Sequence, residues 1–335
     1  MGKRDEVDKR RGIRALLAAA AALSLGLGCA GALAQTYPAK PVKLIVPYPA
    51  GGSADLIGRT VARKMGDGMG QQLIVENRPG AGGTIGIDAA SKAAPDGYTI
   101  ALGTVSTLGM APIVYATLGY DPVKSFAPIG MAVSSPFIVV TNLSVPAGSL
   151  KELIDVAKAK PGTLNFASIG NGSLVHFAGE HFKALAGVNL VHVPYKGAAP
   201  ALVDLLGGQV QLMFDQLASF RLQNIQSGKL RALAVAGPVR IPQLPSVPTA
   251  AEAGLPGFEV SAWFGLVAPS GTPAEIIRRL NADLQVALAT KELRDVAVAQ
   301  GLDPSGGSPE QFAAAISEEI AKWTRVVKSS GFKMD

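Results

Sequence analysis

The length, charge and cysteine content of the chain exclude several classes of protein. Its 335 residues are enough for two lobes, each with a core of its own. The net charge of +6 is small, and no long basic run indicates binding to nucleic acid. Because the only cysteine is Cys29, the chain is not a small domain held together by disulfides.

The first 34 residues have the pattern of a secretory signal peptide. A basic start precedes the apolar run Ala15–Leu27, and Ala32-Leu33-Ala34 has the small residues of a cleavage site, so we expect cleavage after Ala34 and a periplasmic mature protein. The apolar run is too short to span a membrane. Lipoprotein processing at Cys29 and twin-arginine export through Arg10-Arg11 stay open as alternatives. Because the leader holds six basic and three acidic residues, the mature chain has a net charge of +3.

The stretch from Val42 to Asp55 is the one around which the mature chain is organised. Val42–Val46 is a short apolar run of the kind found in buried parallel strands, and apolar residues then recur at helical spacing from Ala54 to Met65. The loop between them is nearly free of bulky side chains, and we expect Ser53 to cap the helix. The first N–H groups of a helix lack partners and carry the positive end of its dipole, so this stretch predicts a site for a ligand anion.

The order of strand, small-residue loop and helix occurs four times, with later units beginning near Leu73, Thr163 and Leu190. This repetition predicts an α/β fold in which mostly parallel sheets are flanked by helices. We expect lobe 1 to comprise residues 35–138 and 258–335, and lobe 2 to comprise residues 139–257. Capping boxes at Ser149, Thr272 and Ser308 predict further helices, of which the two C-terminal ones are expected to pack on lobe 1.

Seven short motifs follow one another along the mature chain: Val46–Asp55, Glu76–Gly83, Pro95–Thr99, Gly170–Ser173 with His176, Val193–Gly197, Pro245–Thr249 and Trp263–Leu266. In this order and spacing they resemble the tripartite tricarboxylate transporter receptor family, the Bug-type extracytoplasmic solute-binding proteins. The resemblance covers essentially the whole mature chain. One departure is Ala50, where the family often has a second proline.

The resemblance implies a two-lobed periplasmic binding protein, type II-like, with the ligand in the cleft between the lobes. In such proteins main-chain groups of the loops matching Pro49–Ser53 and Ser168–Ser173 hold a carboxylate. The implied partner is a membrane carrier of a tripartite transporter, and the runner-up interpretation is a receptor that informs a membrane sensor. We expect a monomer with no enzymatic activity, no cofactor and no nucleic-acid partner.

The candidate ligand-binding residues belong to these two loops and to the strand ends and loops beside them. They are Tyr48, Pro49, Ala50, Gly51, Gly52, Ser53, Asp55, Thr104, Ser106, Ser168, Gly170, Asn171, Gly172, Ser173, His176, Tyr195, Lys196 and Asp215. Because Asp55 would repel a carboxylate at the same helix start, we expect it to orient the loop or to meet a positive part of the ligand. His176 is expected to close its helix start or to touch the ligand.

Other functional classes are less consistent with the sequence. A periplasmic hydrolase using Ser173 or Ser53 with His176 stays open as a third interpretation, although the chain has no G-x-S-x-G elbow. His176 and His181 are spaced five apart, and no metal site is predicted. In Gly80–Gly86 an isoleucine occupies the place of the third glycine of a dinucleotide loop.

The strength of the proposed contacts predicts that both lobes take part. Micromolar binding needs about −8 kcal/mol, whereas one hydrogen bond to a charged group contributes about 1.5 to 3 kcal/mol. Several donors must therefore converge, which predicts hinge closure through the connections near residues 138 and 258. Dicarboxylates, citrate-like acids, acidic amino acids and aromatic acids all stay open as ligands.

Overall fold

The computed structural model describes residues 37–217 and 219–330. The expected cleavage after Ala34 and its alternatives at Cys29 and Arg10-Arg11 lie outside the described residues. The chain from Lys40 onward forms one compact unit, and the fold given below is that of this unit.

The secondary structure alternates between strands and helices over most of this unit. The strands are β1 (Val42–Val46), β2 (Leu73–Asn77), β3 (Thr99–Thr104), β4 (Phe126–Asn142), β5 (Asn165–Ser168), β6 (Val191–Pro194), β7 (Leu212–Gln216), β8 (Leu230–Ala236), β9 (Ser261–Pro269) and β10 (Asp303–Gly306). The helices are α1 (Ser53–Met69), α2 (Thr84–Ser91), α3 (Ala111–Val114), α4 (Leu150–Ala159), α5 (Leu174–Ala186), α6 (Ala198–Leu206), α7 (Ser219–Gln226), α8 (Ala274–Ala289), α9 (Lys291–Ala299) and α10 (Pro309–Ser330). A 3₁₀ turn, Ala81–Gly83, precedes α2, and a π-helical turn, Val105–Met110, follows β3.

Two sheets share the long strand β4. The first sheet has the order β2-β1-β3-β9-β4-β10, in which β1 pairs in parallel with β2 and β3. The second has the order β6-β5-β7-β4-β8, in which β5 pairs in parallel with β6 and β7. Residues 126–136 of β4 pair with β9, whereas residues 137–142 pair with β7 and β8. The structure is thus the predicted α/β fold of two lobes, each with a three-stranded parallel part extended by antiparallel strands.

Helices cover these sheets through apolar faces. On the first sheet α1 packs against α8, and α8 also contacts β4. The C-terminal helix α10 contacts the π-helical turn, the shared strand β4 and α5, so it packs on elements of both sheets. Trp323 of α10 is fully buried and meets Phe177 of α5 at 6.0 Å between ring centroids. No helix within the described ranges is long and apolar enough to cross a membrane.

The N-caps predicted at Ser149 and Ser308 are present. Glu152 N donates to Ser149 Oγ at 3.2 Å, and Gln311 N donates to Ser308 Oγ at the same distance. The capping box is complete at Ser308, where Ser308 N also donates to Gln311 Oε1 at 2.8 Å, whereas the Glu152 carboxylate accepts from Gly148 N and not from Ser149 N. The prediction for Thr272 is wrong, because its hydroxyl donates back to the Pro269 carbonyl oxygen at 2.8 Å and the N-cap of α8 is Pro273.

Candidate functional site

The loop between β1 and α1 leads into a helix whose first turn has no side-chain cap. The N-cap position is held by Gly52, which has extended backbone angles and no side chain, so no side chain accepts a hydrogen bond from the first turn. The prediction that Ser53 caps this helix is wrong. Ser53 is the first helical residue, and its hydroxyl donates to Gln300 Oε1 at 2.7 Å. The N–H groups of the first turn are therefore left without a side-chain acceptor.

Asp55 fixes the shape of this loop. Its carboxylate accepts hydrogen bonds from Gly51 N at 2.9 Å, from Arg59 Nε at 3.0 Å and from Asn77 Nδ2 at 2.9 Å. Burial raises the pKa of Asp55, but these three donors together hold it below the ordinary value. The carboxylate is thus ionised and bonded within the loop, and the Gly51 N–H is not available to a ligand.

Asn77, at the end of β2, is a positioning residue that the sequence patterns did not single out. Its Nδ2 donates to the Tyr48 carbonyl oxygen at 3.0 Å as well as to Asp55, and its Oδ1 accepts from Arg59 Nη2 at 2.8 Å. The available signal was its position at the carboxyl end of β2, the strand that pairs with β1.

The hydroxyl cluster beside the loop brings together three of the candidate residues. The hydroxyl oxygens of Tyr48 and Thr104 are 3.0 Å apart, and Ser106 also hydrogen-bonds to Tyr48. Thr104 in turn caps the π-helical turn by accepting from Thr107 N at 3.2 Å. Burial raises the pKa of Tyr48, so its hydroxyl is neutral and can both donate and accept.

A cavity of about 400 Å³ lies against the same loop. Its lining residues are Tyr48, Pro49, Ala50, Gly52, Ser53, Ala54 and Phe264. Phe264 of β9 contributes an aromatic wall that was not among the candidate residues. Residues 49–53 are all exposed, so a small molecule can reach the helix start from solvent.

In the second lobe the loop between β5 and α5 is held by its own side chains. Ser173 is the N-cap of α5 and accepts from His176 N at 3.2 Å, while its hydroxyl donates to the Gly170 carbonyl oxygen at 2.7 Å. Gly170 N donates to Ser168 Oγ at 3.1 Å. Gly172 N donates to His176 Nδ1 at 3.2 Å, so the His176 ring closes the helix start. Asn171 lies exposed at the tip of the loop.

His176 stacks on His192 of β6 beneath this loop. Their ring centroids are 3.7 Å apart with the planes inclined by 8°, and His192 Nε2 lies 2.6 Å from Ser168 Oγ. Burial lowers the pKa of each histidine to about 4. Both rings are therefore neutral at neutral pH, which lets His176 Nδ1 accept a hydrogen bond.

The geometry does not assemble the serine nucleophile that the hydrolase interpretation needs. The hydroxyl proton of Ser173 is donated to a carbonyl oxygen, and that of Ser53 is donated to Gln300. Neither proton is therefore donated to an imidazole, as activation of a serine requires. Within the described ranges no group of three or more His, Cys, Asp or Glu residues could hold a metal ion.

The remaining candidates lie at the same edge of the second sheet. Tyr195 N donates to the Ser168 carbonyl oxygen at 3.0 Å, and its hydroxyl donates to Asp204 Oδ2 at 2.7 Å. Burial, and then the bond to Asp204, raise the pKa of Tyr195 to about 12. Lys196, the next residue, is exposed.

Asp215, at the end of β7, forms a buried ion pair with Arg221, a residue that the sequence patterns missed. The Asp215 carboxylate also accepts from Gln216 N at 2.7 Å, and Arg221 Nη1 donates to the Gln216 carbonyl oxygen at 3.0 Å. Burial raises the pKa of Asp215, against the opposing effect of the guanidinium.

Comparisons with known proteins identify the family. The family model described as "Tripartite tricarboxylate transporter family receptor" matches residues 57–332. Protein BugT of Bordetella pertussis is 41% identical over 302 residues, covering 90% of this chain and 92% of its own. A solved structure of an R. palustris protein with adipate is 36% identical with a TM-score of 0.73, covering 88% of this chain and 98% of that one. MatC from Rhodopseudomonas palustris with bound malate is 35% identical with a TM-score of 0.70, covering 87% of this chain and all of that one.

A match of this extent, on the fold and motifs described above, places the chain in the family that its motifs predict. The chain belongs to the tripartite tricarboxylate transporter receptor family, the Bug-type solute-binding proteins.

Proposed function

We propose that the protein is a periplasmic receptor that binds a small carboxylate between its two lobes and delivers it to a membrane carrier of the tripartite tricarboxylate type. The observation that carries this proposal is the α1 helix start, which is uncapped at Gly52 and borders an open cavity of about 400 Å³. The adipate and malate found in two relatives support a carboxylate as the ligand.

An anion is the ligand that this helix start favours. The free N–H groups of the first turn and the helix dipole both stabilise negative charge, and hydrogen bonds to a charged acceptor are about twice as strong as neutral ones. Because Asp55 is already paired with Arg59, it does not cancel this attraction. A carboxylate oxygen fits here without any charged side chain from the loop itself.

The second lobe supplies the other half of the site in this proposal. Lobe 1 consists of residues 35–138 and 258–335, and lobe 2 of residues 139–257. The change of pairing partners within β4 after Pro136 supports this division. The loop Ser168–Ser173 then faces the loop Pro49–Ser53 across the cleft, and the ligand draws them together.

The protein binds and releases its ligand without chemical change in this proposal. The hydroxyl protons of Ser53 and Ser173 are donated elsewhere, which argues against a hydrolase. The chain is exported as a precursor, cleaved after Ala34, and acts as a monomer. Delivery to a carrier is preferred over signalling to a sensor because the family is named for transport.

The test is thermal unfolding of the mature chain, refolded to remove bound ligand, against carboxylates and their uncharged amides. A carboxylate at 100 times its dissociation constant adds about 2.7 kcal/mol to the free energy of unfolding, which raises the melting temperature by several degrees. We expect at least one acid to stabilise the protein and its amide to have no effect. An amide that stabilises as well as its acid would overturn the proposed anion site.

A further inference from the structure

We infer that His192, a residue of β6 outside both ligand loops, is a positioning residue that holds the loop Ser168–Ser173 in its ligand-binding conformation through the buried hydroxyl of Ser168. The inference rests on the proposed function, in which main-chain groups of this loop hold a carboxylate. His192 acts on those groups from beneath the loop and does not itself touch the ligand.

The Ser168 hydroxyl fixes the backbone on both sides of Gly170. Ser168 is fully buried, and its Oγ accepts from Gly170 N at 3.1 Å and donates to the Gly170 carbonyl oxygen at 3.1 Å. Gly170 has a φ of +132°, which favours glycine, and it has no side chain that could hold this conformation. The shape of the loop at this point therefore depends on hydroxyl groups from its neighbours.

These bonds set the direction of the next N–H group. The Gly170 carbonyl oxygen points toward two hydroxyls, because it also accepts from Ser173 Oγ at 2.7 Å. In a trans peptide the N–H lies on the side opposite to the C=O, so the Asn171 N–H points away from Ser168 and Ser173. Asn171 is exposed at the tip of the loop. Its N–H is thus a main-chain donor that the loop directs to the ligand.

His192 fixes the Ser168 hydroxyl from the neighbouring strand. The strands β5 and β6 are parallel with Phe166 opposite His192, so the side chains of Phe166, Ser168 and His192 lie on one face of the sheet. His192 Nε2 is 2.6 Å from Ser168 Oγ, closer than either Gly170 partner of that hydroxyl. The His192 ring packs on Phe166 with centroids 4.9 Å apart, which restricts its rotation away from Ser168.

The stacked ring of His176 holds the other side of the loop tip. Its Nδ1 accepts from Gly172 N at 3.2 Å, and its ring centroid is 3.7 Å from that of His192. One imidazole therefore acts on the peptide group before Asn171, through Ser168, and the other acts directly on the peptide group after it. The pair orients the loop tip as a unit.

The experiment removes the bond of His192 and keeps the stack. Calorimetry measures the binding of malate, adipate, citrate and 3-phenylpropionate to the mature chain. For each acid that binds, His192→Phe should lower the affinity about tenfold, because a phenyl ring stacks but forms no hydrogen bond to Ser168. Ser168→Ala should lower the affinity at least as much. The double variant should bind no more weakly than Ser168→Ala, because His192 acts only through that hydroxyl.

Two results overturn the inference and leave the carboxylate receptor intact. One is an unchanged affinity in His192→Phe. The other is a double variant in which the two losses multiply, since that would mean that His192 and Ser168 act independently. If none of the acids binds the unmodified chain, the proposed ligand class fails and the inference fails with it.

Two amide variants separate the hydrogen bond from general damage to the sheet. Glutamine places its amide near the position of the histidine Nε2, whereas asparagine is too short to reach it. We expect His192→Gln to bind within about threefold of the unmodified chain and His192→Asn to bind about tenfold more weakly. Equal affinities of these two variants would overturn the inference, and they decide it if His192→Phe does not fold.

Thr141→Val is the matched control for Ser168→Ala. Thr141 is a fully buried residue of β4 in the same sheet, and its hydroxyl has no hydrogen-bond partner among the described residues. Valine has nearly the same shape, so this variant removes a buried hydroxyl without removing a bond to the loop. We expect its affinity for each acid to be unchanged. A loss equal to that of Ser168→Ala would show that any buried hydroxyl of the sheet has this effect, and it would overturn the inference.

Discussion

At the residue scale, the absence of a side chain has a different consequence at Gly51 than at Gly52. Gly51 has a φ of +87°, a conformation that only glycine adopts without strain, whereas Gly52 has a φ of −81° that any residue can adopt. A Cβ atom at Gly52 would lie 3.9 Å from the Pro49 carbonyl oxygen, so space does not exclude a side chain either. The glycine at position 52 therefore keeps the first-turn N–H groups free for a ligand.

Gly52→Asp tests that role. An aspartate at the N-cap accepts from the first-turn N–H groups, so we expect the unliganded protein to be stabilised by about 0.3 to 1 kcal/mol. The same side chain blocks and repels a carboxylate, so ligand-induced stabilisation should be lost. Thermal unfolding with and without ligand measures both effects.

The matched control is Gly52→Asn, which has nearly the same shape and caps the helix without adding a charge. We expect it to weaken carboxylate binding less than the aspartate does. Equal ligand-induced stabilisation in Gly52→Asp and the unmodified protein would exclude this helix start as the anion site.

The residue-level predictions succeeded where local sequence decides the contact. The His176 ring closes its helix start by accepting from Gly172 N, and Asp55 orients its own loop by accepting from Gly51 N. The cap at Ser53 was wrong because its hydroxyl meets Gln300, which lies 247 positions away in the chain. Arg221 was missed because it pairs with Asp215 only once the chain has turned after β7.

At the element scale, β4 shows that the hydrophobic pattern alone does not predict the ends of a strand. The sequence predicts a strand only over Pro136–Val140, because Pro128 and Gly130 interrupt the apolar pattern before it and Pro136 is a residue at which a strand commonly begins. In the structure β4 runs from Phe126 to Asn142, the register with β9 shifts between Pro128 and Gly130, and the pairing partners change after Pro136. These breakers mark irregularities within one strand rather than its ends.

The stacked histidines of α5 and β6 make stability depend on pH. Their pKa of about 4 in the folded protein is depressed below the ordinary value of about 6.5, so between these values only the unfolded chain takes up protons. The stabilisation is complete above pH 6.5 and is lost as pH falls toward 4. For two such groups the slope reaches about 2.7 kcal/mol per pH unit.

His192→Phe isolates one of these groups. The phenyl ring can keep the stack on His176 and Phe166, but it does not titrate. We expect urea unfolding between pH 4.5 and 6.5 to give a slope lower by about 1.4 kcal/mol per pH unit. Carboxylates and His181 titrate in both proteins, so their contributions cancel when one slope is subtracted from the other. An unchanged slope would contradict the neutral stack.

At the scale of the whole molecule, the two connections between the proposed lobes are hydrogen-bonded to each other. Phe137 N donates to the Val260 carbonyl oxygen at 2.8 Å, and Val260 N donates to the Ala236 carbonyl oxygen at 2.9 Å. Helix α10 contacts both the π-helical turn and α5, which the proposed division assigns to lobe 1 and lobe 2. In the proposed closure the lobes therefore rotate about one narrow region, and the α10–α5 contact must adjust.

The two tryptophans of the chain report on that rotation separately. Trp323 of α10 packs edge-on against Phe177 and His181 of α5, so its surroundings belong to both lobes. Trp263 of β9 packs against Phe312 of α10, and both belong to lobe 1 in the proposed division. With Trp263→Phe, saturating ligand should shift the emission of the remaining Trp323. With Trp323→Phe, the emission of Trp263 should change much less. Binding detected by calorimetry without a change in Trp323 emission, or with equal changes in both variants, would mean that the lobes capture their ligand without rotating at this contact.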